Sequence, residues 1–337
     1  MPFSSLVGNE RIKKLLLRAV AEGRIGQGLI FAGQRGVGKH QFALALAQAL
    51  NCANPKSGDA CGACVSCRKI ERKEHLDVQT ILRESKDPLV KKEYKSQFIK
   101  VEQMRDMSRE AQFRPREGRR RVFIIDEAEW LREEAANSIL KTLEEPPESS
   151  LILLVTSKPY ALLETIRSRC QMLSFAPLTP QELEVYLKAN FKRPLEETRM
   201  LARLARGSIG RTLEIDLGVY REKRATMLEL IESLAVTRDT VKLLSAAEHL
   251  GRKLDKDEFE NHLDVLMVLL ADLFHLKLGE PADSLTNSDI APRLERTAGA
   301  TTLEQITEWA GRVEQVLQSL TRNVNRQLAM EAMLIPT

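Results

Sequence analysis

One segment limits what this chain can fold into more than any other: Gly33-Gln34-Arg35-Gly36-Val37-Gly38-Lys39-His40. It follows a short apolar run, Leu29 to Ala32, and precedes a helix-like pattern, Lys39 to Leu50. The spacing fits G-x-x-x-x-G-K, a phosphate loop. Gly33, Gly36 and Gly38 let the backbone curl until several N–H groups point at one phosphate, and the helix N-terminus adds its dipole. Lys39 is then placed to reach the β- and γ-phosphates. A working loop continues with Ser or Thr, whose hydroxyl holds Mg²⁺; here the residue is His40, and an imidazole is a poor magnesium ligand. Productive ATP hydrolysis is therefore not expected. Whether the loop still holds a nucleotide or keeps only its backbone shape stays open.

The first half of the chain alternates strand-like and helix-like stretches. Strands are expected at Leu29–Ala32, Val78–Leu82, Val122–Ile125, Leu151–Val155 and Met172–Phe175, and helices at Glu10–Ala21, Lys39–Leu50, Val101–Gln112 and Glu129–Leu143. Such alternation predicts a parallel sheet with helices on both faces. The breakers Pro177 and Pro180 end the strand signals. Short helices are expected at Gln181–Ala189 and Glu196–Ala205, a break at Gly207–Gly210, and helices throughout from about Tyr220. Leu263 to Leu276 reads as a buried helix. Leu303, Ile306, Trp309, Val313, Val316 and Leu320 form one core-facing stripe. Arg83–Lys100 and Gly279–Thr301 read as surface loops.

Val122–Ile125 ends in Asp126-Glu127. In phosphate-loop enzymes the strand-end Asp helps hold Mg²⁺ and the Glu polarises the attacking water. The same acids are equally expected as remnants of a lost site. Cys52, Cys61, Cys64 and Cys67 follow C-x8-C-x2-C-x2-C. Four thiolates close a tetrahedral structural zinc site with no open position for catalysis. His75 reads as a surface or strand-entry residue. Nothing in Met1 to Arg11 resembles the apolar part of a signal peptide. The most apolar stretch, Val265 to Ala271, is far short of the roughly 20 residues of a membrane span. A cytoplasmic protein with reduced thiols is expected. The net charge is only +4, so affinity for nucleic acid would need a local patch. Arg114, Arg116, Arg119, Arg120 and Arg121 are a candidate, although a solvated turn is the simpler reading.

Taken together, the motifs resemble the clamp-loader subunits of bacterial DNA polymerase III. The similarity runs from Phe3–Glu10 through Gly33–Lys39, Leu50-Asn51-Cys52 and the later cysteines. It continues with Asp126–Glu129, Ala135–Pro147, Thr165-Ile166-Arg167-Ser168-Arg169-Cys170 and Asn323–Glu331. It implies an AAA+ module with its zinc-binding insertion over 1–176 (the four-cysteine part at about 52–67). A helical lid over 177–219 and an all-helical collar over 220–337 follow. It implies a place in a five-membered ring with gamma/tau and delta subunits, which opens a sliding clamp and places it around primed DNA. It also implies that Arg169 is an arginine finger for a neighbour's ATP site, and Cys170 a packing residue. Thr156 or Ser157 stands where the first sensor would be, and Arg211 where the second would be. His40, and an end just after the collar without a long tail, resemble the delta-prime type, which usually lacks a working ATP site. The retained Lys39, and Gly26-Gln27-Gly28 in place of the usual His-Ala, depart from it. Two alternatives remain: an ATP-hydrolysing gamma/tau-type motor, and a stand-alone DNA-binding AAA+ protein. The latter would need a recognisable DNA-binding module at the C-terminus, and the pattern there offers only collar-like helices.

Overall fold

The computed structural model describes residues 1–87, 90–94, 96–237, 239–320 and 324–334, so Asn323 of the C-terminal motif lies outside the described residues. The chain divides into two compact units, 1–186 with 206–211, and 187–205 with 212–337. Among the described residues no helix is long and apolar enough to cross a membrane.

The first unit is built on strands β1 (Gly28–Ala32), β2 (Val78–Ile81), β3 (Ser85–Asp87), β4 (Val90–Tyr94), β5 (Arg121–Ile125), β6 (Ser150–Thr156) and β7 (Gln171–Ser174). Five of them form a parallel sheet in the order β2-β5-β6-β1-β7. Strand residues alternate between two cores, as the period of two requires. Leu29 and Phe31 of β1 pack with Phe42 and Leu46 on one face, where the helices Glu10–Ala21 and Lys39–Asn51 lie. Ile30 and Ala32 face Phe123, Ile125, Met104 and Met107 on the other, covered by the helix Val101–Ala111. The expected α/β sheet with helices on both faces is what forms.

Three local expectations need correction. The stretch expected as one helix over Glu129–Leu143 is a 3-10 turn, Ala128–Trp130, followed by two short helices, Glu133–Ser138 and Leu140–Glu144. Its interruption has a cause: Leu131 bridges to Ile99, and the Arg132 guanidinium lies 4.0 Å over the Phe98 ring. Within Arg83–Lys100, β3 and β4 pair as an antiparallel hairpin rather than a plain loop. Gly279–Thr301 contains the helix Ala291–Gly299, whose Ala291, Leu294 and Ala298 are buried.

In the second unit the long helix Lys256–Lys277 carries the expected apolar run and packs against the helices Leu217–Glu232, Ala291–Gly299 and Leu303–Ser319. Of the predicted stripe, Ile306, Val313, Val316 and Leu320 are buried, whereas Leu303 lies on the surface. Asp272 interrupts the apolar face for a reason. Its carboxylate accepts N–H bonds from Thr286 and Asn287, and Asn287 in turn accepts from the Tyr220 hydroxyl at 2.9 Å. Burial pushes Asp272 above the usual carboxylate range.

Candidate functional site

The sheet order places the phosphate loop at the C-terminal end of β1, beside the ends of β6 and β7, where the strand order reverses. Open α/β sheets bind ligands at this kind of position. Gly36 and Gly38 have φ of 79° and 94°, left-handed values that an L side chain resists. A side chain at Gly36 would also strike Ser208, and the Gly36 carbonyl accepts the Gly210 N–H at 3.1 Å. Lys39 is almost fully buried, and its Nζ donates to the Gly33 and Gln34 carbonyls at 2.6 and 2.7 Å. Burial lowers its pKa, with Glu129 and Asp126 working against that.

His40 and Asp126 meet across the loop. His40 Nδ1 lies 3.0 Å from Asp126 Oδ2. That nitrogen is shielded from solvent, yet it is not aligned as a hydrogen bond to any partner. Burial alone would push Asp126 up, but the His40 imidazole and the Glu127 N–H outweigh it and hold the carboxyl below its usual range. Magnesium calls for oxygen ligands, so an imidazole and one carboxylate do not fit the ion that this kind of loop ordinarily holds.

The neighbouring acids are occupied as well. Glu127 takes two bonds from Arg83, at 2.5 and 3.0 Å, and has Arg35 at 3.8 Å. Ser157 donates its hydroxyl to Glu129 at 2.6 Å, whereas the Thr156 hydroxyl accepts from the Lys158 N–H. Thr156 itself is buried opposite Ala32. Arg211 follows the segment that packs on Gly36, and its N–H donates to the Ser208 hydroxyl at 3.2 Å. The fold thus gathers Lys39, His40, Asp126 and Glu127 around one loop.

Arg169 belongs to a separate surface. Its guanidinium is one-third exposed, donating to the Thr165 carbonyl at 2.9 Å and pairing with Glu144 at 2.6 Å. Cys170 next to it is buried, its thiol pushed up to about 12 by burial, which suits a packing residue.

Cys52, Cys61, Cys64 and Cys67 converge, with all four sulfurs within 4.8 Å of one another and none in a disulfide. Cys52 ends the helix Lys39–Asn51, and Cys64 caps the helix Val65–Arg72, its sulfur accepting the Cys67 N–H. Tetrahedral Zn–S bonds of about 2.3 Å put sulfurs roughly 3.8 Å apart, so the cluster is compatible with zinc. N–H bonds from Ala63 and Cys64 lower Cys61 to about 6, whereas burial pushes Cys52 and Cys67 up.

The ground beneath this cluster differs from expectation. His75 is buried rather than on the surface; it enters β2, receives the Asp77 N–H and contacts the Ser66 hydroxyl at 3.1 Å. Of the five arginines between 114 and 121, Arg121 is also buried, bonded to Glu110 at 2.5 Å and 3.6 Å from Asp77. Arg114, Arg116 and Arg119 remain on the surface of a turn whose backbone is tied to Asp77 and Asn51.

A family model described as "DNA polymerase III, delta subunit" matches residues 8–179, and one for the C-terminal part of that subunit matches residues 222–337. The chain belongs to the DNA polymerase III delta subunit family. The delta' subunit of Bacillus subtilis (strain 168) is 28% identical over 96% of this chain and 94% of its own length. The tau subunit of Escherichia coli (strain K12) is 33% identical over 73% of this chain, which spans 37% of that longer protein. The clamp-loader resemblance read from the motifs therefore holds: this is a clamp-loader subunit of DNA polymerase III.

Four partners in this clamp-loader chain were not singled out from sequence: Arg83, Glu129, Glu144 and Asp77. Arg83 had a signal in strand register. Ile81 of β2 pairs with Ile125 of β5, so the residues two steps beyond each strand, Arg83 and Glu127, come side by side. Reading that signal requires knowing that β2 and β5 are neighbours.

Proposed function

We propose that the chain is a delta-prime-type member of the loader ring. It assembles with gamma/tau-type and delta-type subunits in the cytoplasm and completes a neighbour's ATP site through Arg169. The observation that carries this reading is the match to a delta' subunit along nearly the whole of both chains. The phosphate loop supports it: His40 stands where a magnesium-binding hydroxyl belongs and contacts Asp126 directly. The chain's own site is then not a significant ATPase, and Asp126 and Glu127 are remnants as far as hydrolysis is concerned. A guanidinium is always charged and offers a fork of donors, suited to charge building on a γ-phosphate. In the ring, Glu144 and the Thr165 carbonyl would hold two of its nitrogens in place. Cys52, Cys61, Cys64 and Cys67 would hold one structural Zn²⁺. Residues 177–219 would serve as lid and 220–337 as collar, and the assembled ring would act on the clamp and on primed DNA.

The test is Arg169→Ala in a reconstituted complex. Assembly should be intact, while DNA-stimulated ATP hydrolysis and clamp loading slow. Fingers of this kind are worth about 10³–10⁵ in rate at the site they serve. Unchanged hydrolysis would remove the assignment. A motor-subunit reading is favoured by one observation, the grouping of Lys39, Asp126 and Glu127 around an intact loop. A large gain in turnover from His40→Thr would select it.

A further inference from the structure

The disagreement between this loop and magnesium has a chemical direction. The site offers one imidazole nitrogen and one carboxylate oxygen, a donor pair that suits first-row transition ions better than Mg²⁺. The geometry is that of two neighbouring ligands on one ion. Ligands about 2.1 Å from a metal and at right angles to each other lie about 3.0 Å apart. His40 Nδ1 and Asp126 Oδ2 are 3.0 Å apart. The ring nitrogen is shielded from water and makes no aligned hydrogen bond, and the Asp126 carboxylate is the charged group beside it. A phosphate loop takes its remaining metal ligands from the nucleotide and from water, so two protein ligands are enough.

We propose that this loop binds a nucleoside triphosphate together with a nitrogen-tolerant divalent first-row ion, of which Mn²⁺ is the test case, in place of Mg²⁺. His40 and Asp126 are the two protein ligands. Lys39 leaves the Gly33 and Gln34 carbonyls to meet the phosphates. Glu127 stays with Arg83, so the bound nucleotide is held rather than hydrolysed. The inference rests on reading Gly33–Lys39 as a nucleotide site and is independent of Arg169.

The experiment uses the full chain with its cysteine cluster loaded with zinc. Mn²⁺ prefers oxygen and imidazole to thiolate, so it leaves that cluster alone. ATP is titrated calorimetrically in saturating Mn²⁺ and, separately, in saturating Mg²⁺. Binding should be at least about tenfold tighter with Mn²⁺. Pulsed electron paramagnetic resonance of the Mn²⁺ complex should show coupling to a ¹⁴N nucleus. His40→Ala should abolish both the preference and the coupling. His40→Thr should shift the preference to Mg²⁺ and also lose the coupling. Equal affinity with the two ions, a Mn²⁺ complex without nitrogen coupling, or no binding with either ion would overturn the proposal. In the last case the His40–Asp126 contact is a lock that fills the metal position. None of these outcomes touches assembly or the Arg169 test in the ring, so the two readings fail separately.

Discussion

Asp77 sets the ground on which the cysteine cluster stands. It is a buried carboxylate that accepts the N–H groups of Arg116, Glu117 and Gly118 at 2.7–2.8 Å, with Arg121 at 3.6 Å. Burial alone would raise its pKa, but the three N–H bonds and the guanidinium outweigh that and bring it below the ordinary 3.8. A folded value below the unfolded one stabilises the protein above the unfolded value. That contribution fades as the pH falls below 3.8 and through the folded value. Asp77→Ala would leave three N–H groups without their acceptor and remove one of the two carboxylates beside Arg121, which Glu110 still holds. Stranding such partly buried donors costs about 1–3 kcal/mol. Urea denaturation at neutral pH should report a loss of that order, with a smaller loss for Asp77→Asn. The acid sensitivity of the variant below pH 3.8 should be correspondingly weaker. Sequence alone did not single out this residue. An Asp before a strand reads like any surface acid until the turn that folds back over it, some forty positions later, is known. Lys39, His40, Asp126 and the four cysteines were legible, because each belongs to a motif of fixed spacing whose chemistry is local.

The cysteine module illustrates the same division at the level of elements. Its spacing announced four converging ligands, and the convergence is there. What the spacing could not supply is how the module is anchored. The Gln48 amide donates to the Cys67 carbonyl, Lys69 pairs with Glu117, and His75 holds Ser66. Those partners lie on other elements. The five core strands were readable from short apolar runs, and most helices from their period. The β3–β4 hairpin was hidden in a charged stretch, and the break at Leu131 by an otherwise helical pattern. Both depend on pairing across the chain, which overrides local preference. The helix Val65–Arg72 has only eight residues and cannot stand alone, since isolated helices shorter than about 12–15 residues are marginal. If zinc holds its N-terminus, metal analysis should give about one Zn²⁺ per chain. Cys64→Ser or a strong chelator should remove it. Protease cleavage between 52 and 73 should then become fast, while the second unit stays protected. A protein that keeps its protection without metal would rule out the structural role.

At the scale of the whole molecule, the two candidate centres make opposite demands. The phosphate loop is self-contained: Lys39 is held by its own loop, His40 contacts Asp126, and Glu127 is held by Arg83. Arg169 is one-third exposed and is braced by Glu144 and by the Thr165 carbonyl. On the proposed reading, a subunit built like this would contribute to a neighbour's hydrolysis without performing it. That separation gives a prediction which neither site gives alone. In a reconstituted ring, Lys39→Ala should leave both assembly and total ATP turnover close to the unmodified complex. Arg169→Ala should remove the share of turnover that belongs to the one neighbouring site. The comparison is made at saturating ATP and primed DNA, with assembly checked by gel filtration for each variant. If Lys39→Ala lowers turnover as much as Arg169→Ala does, the chain's own loop is hydrolysing nucleotide, and the motor-subunit reading replaces the one proposed. If Arg169→Ala alone lowers it, the retained lysine serves binding at most, and the functional weight of this chain lies on the face it presents to its neighbour.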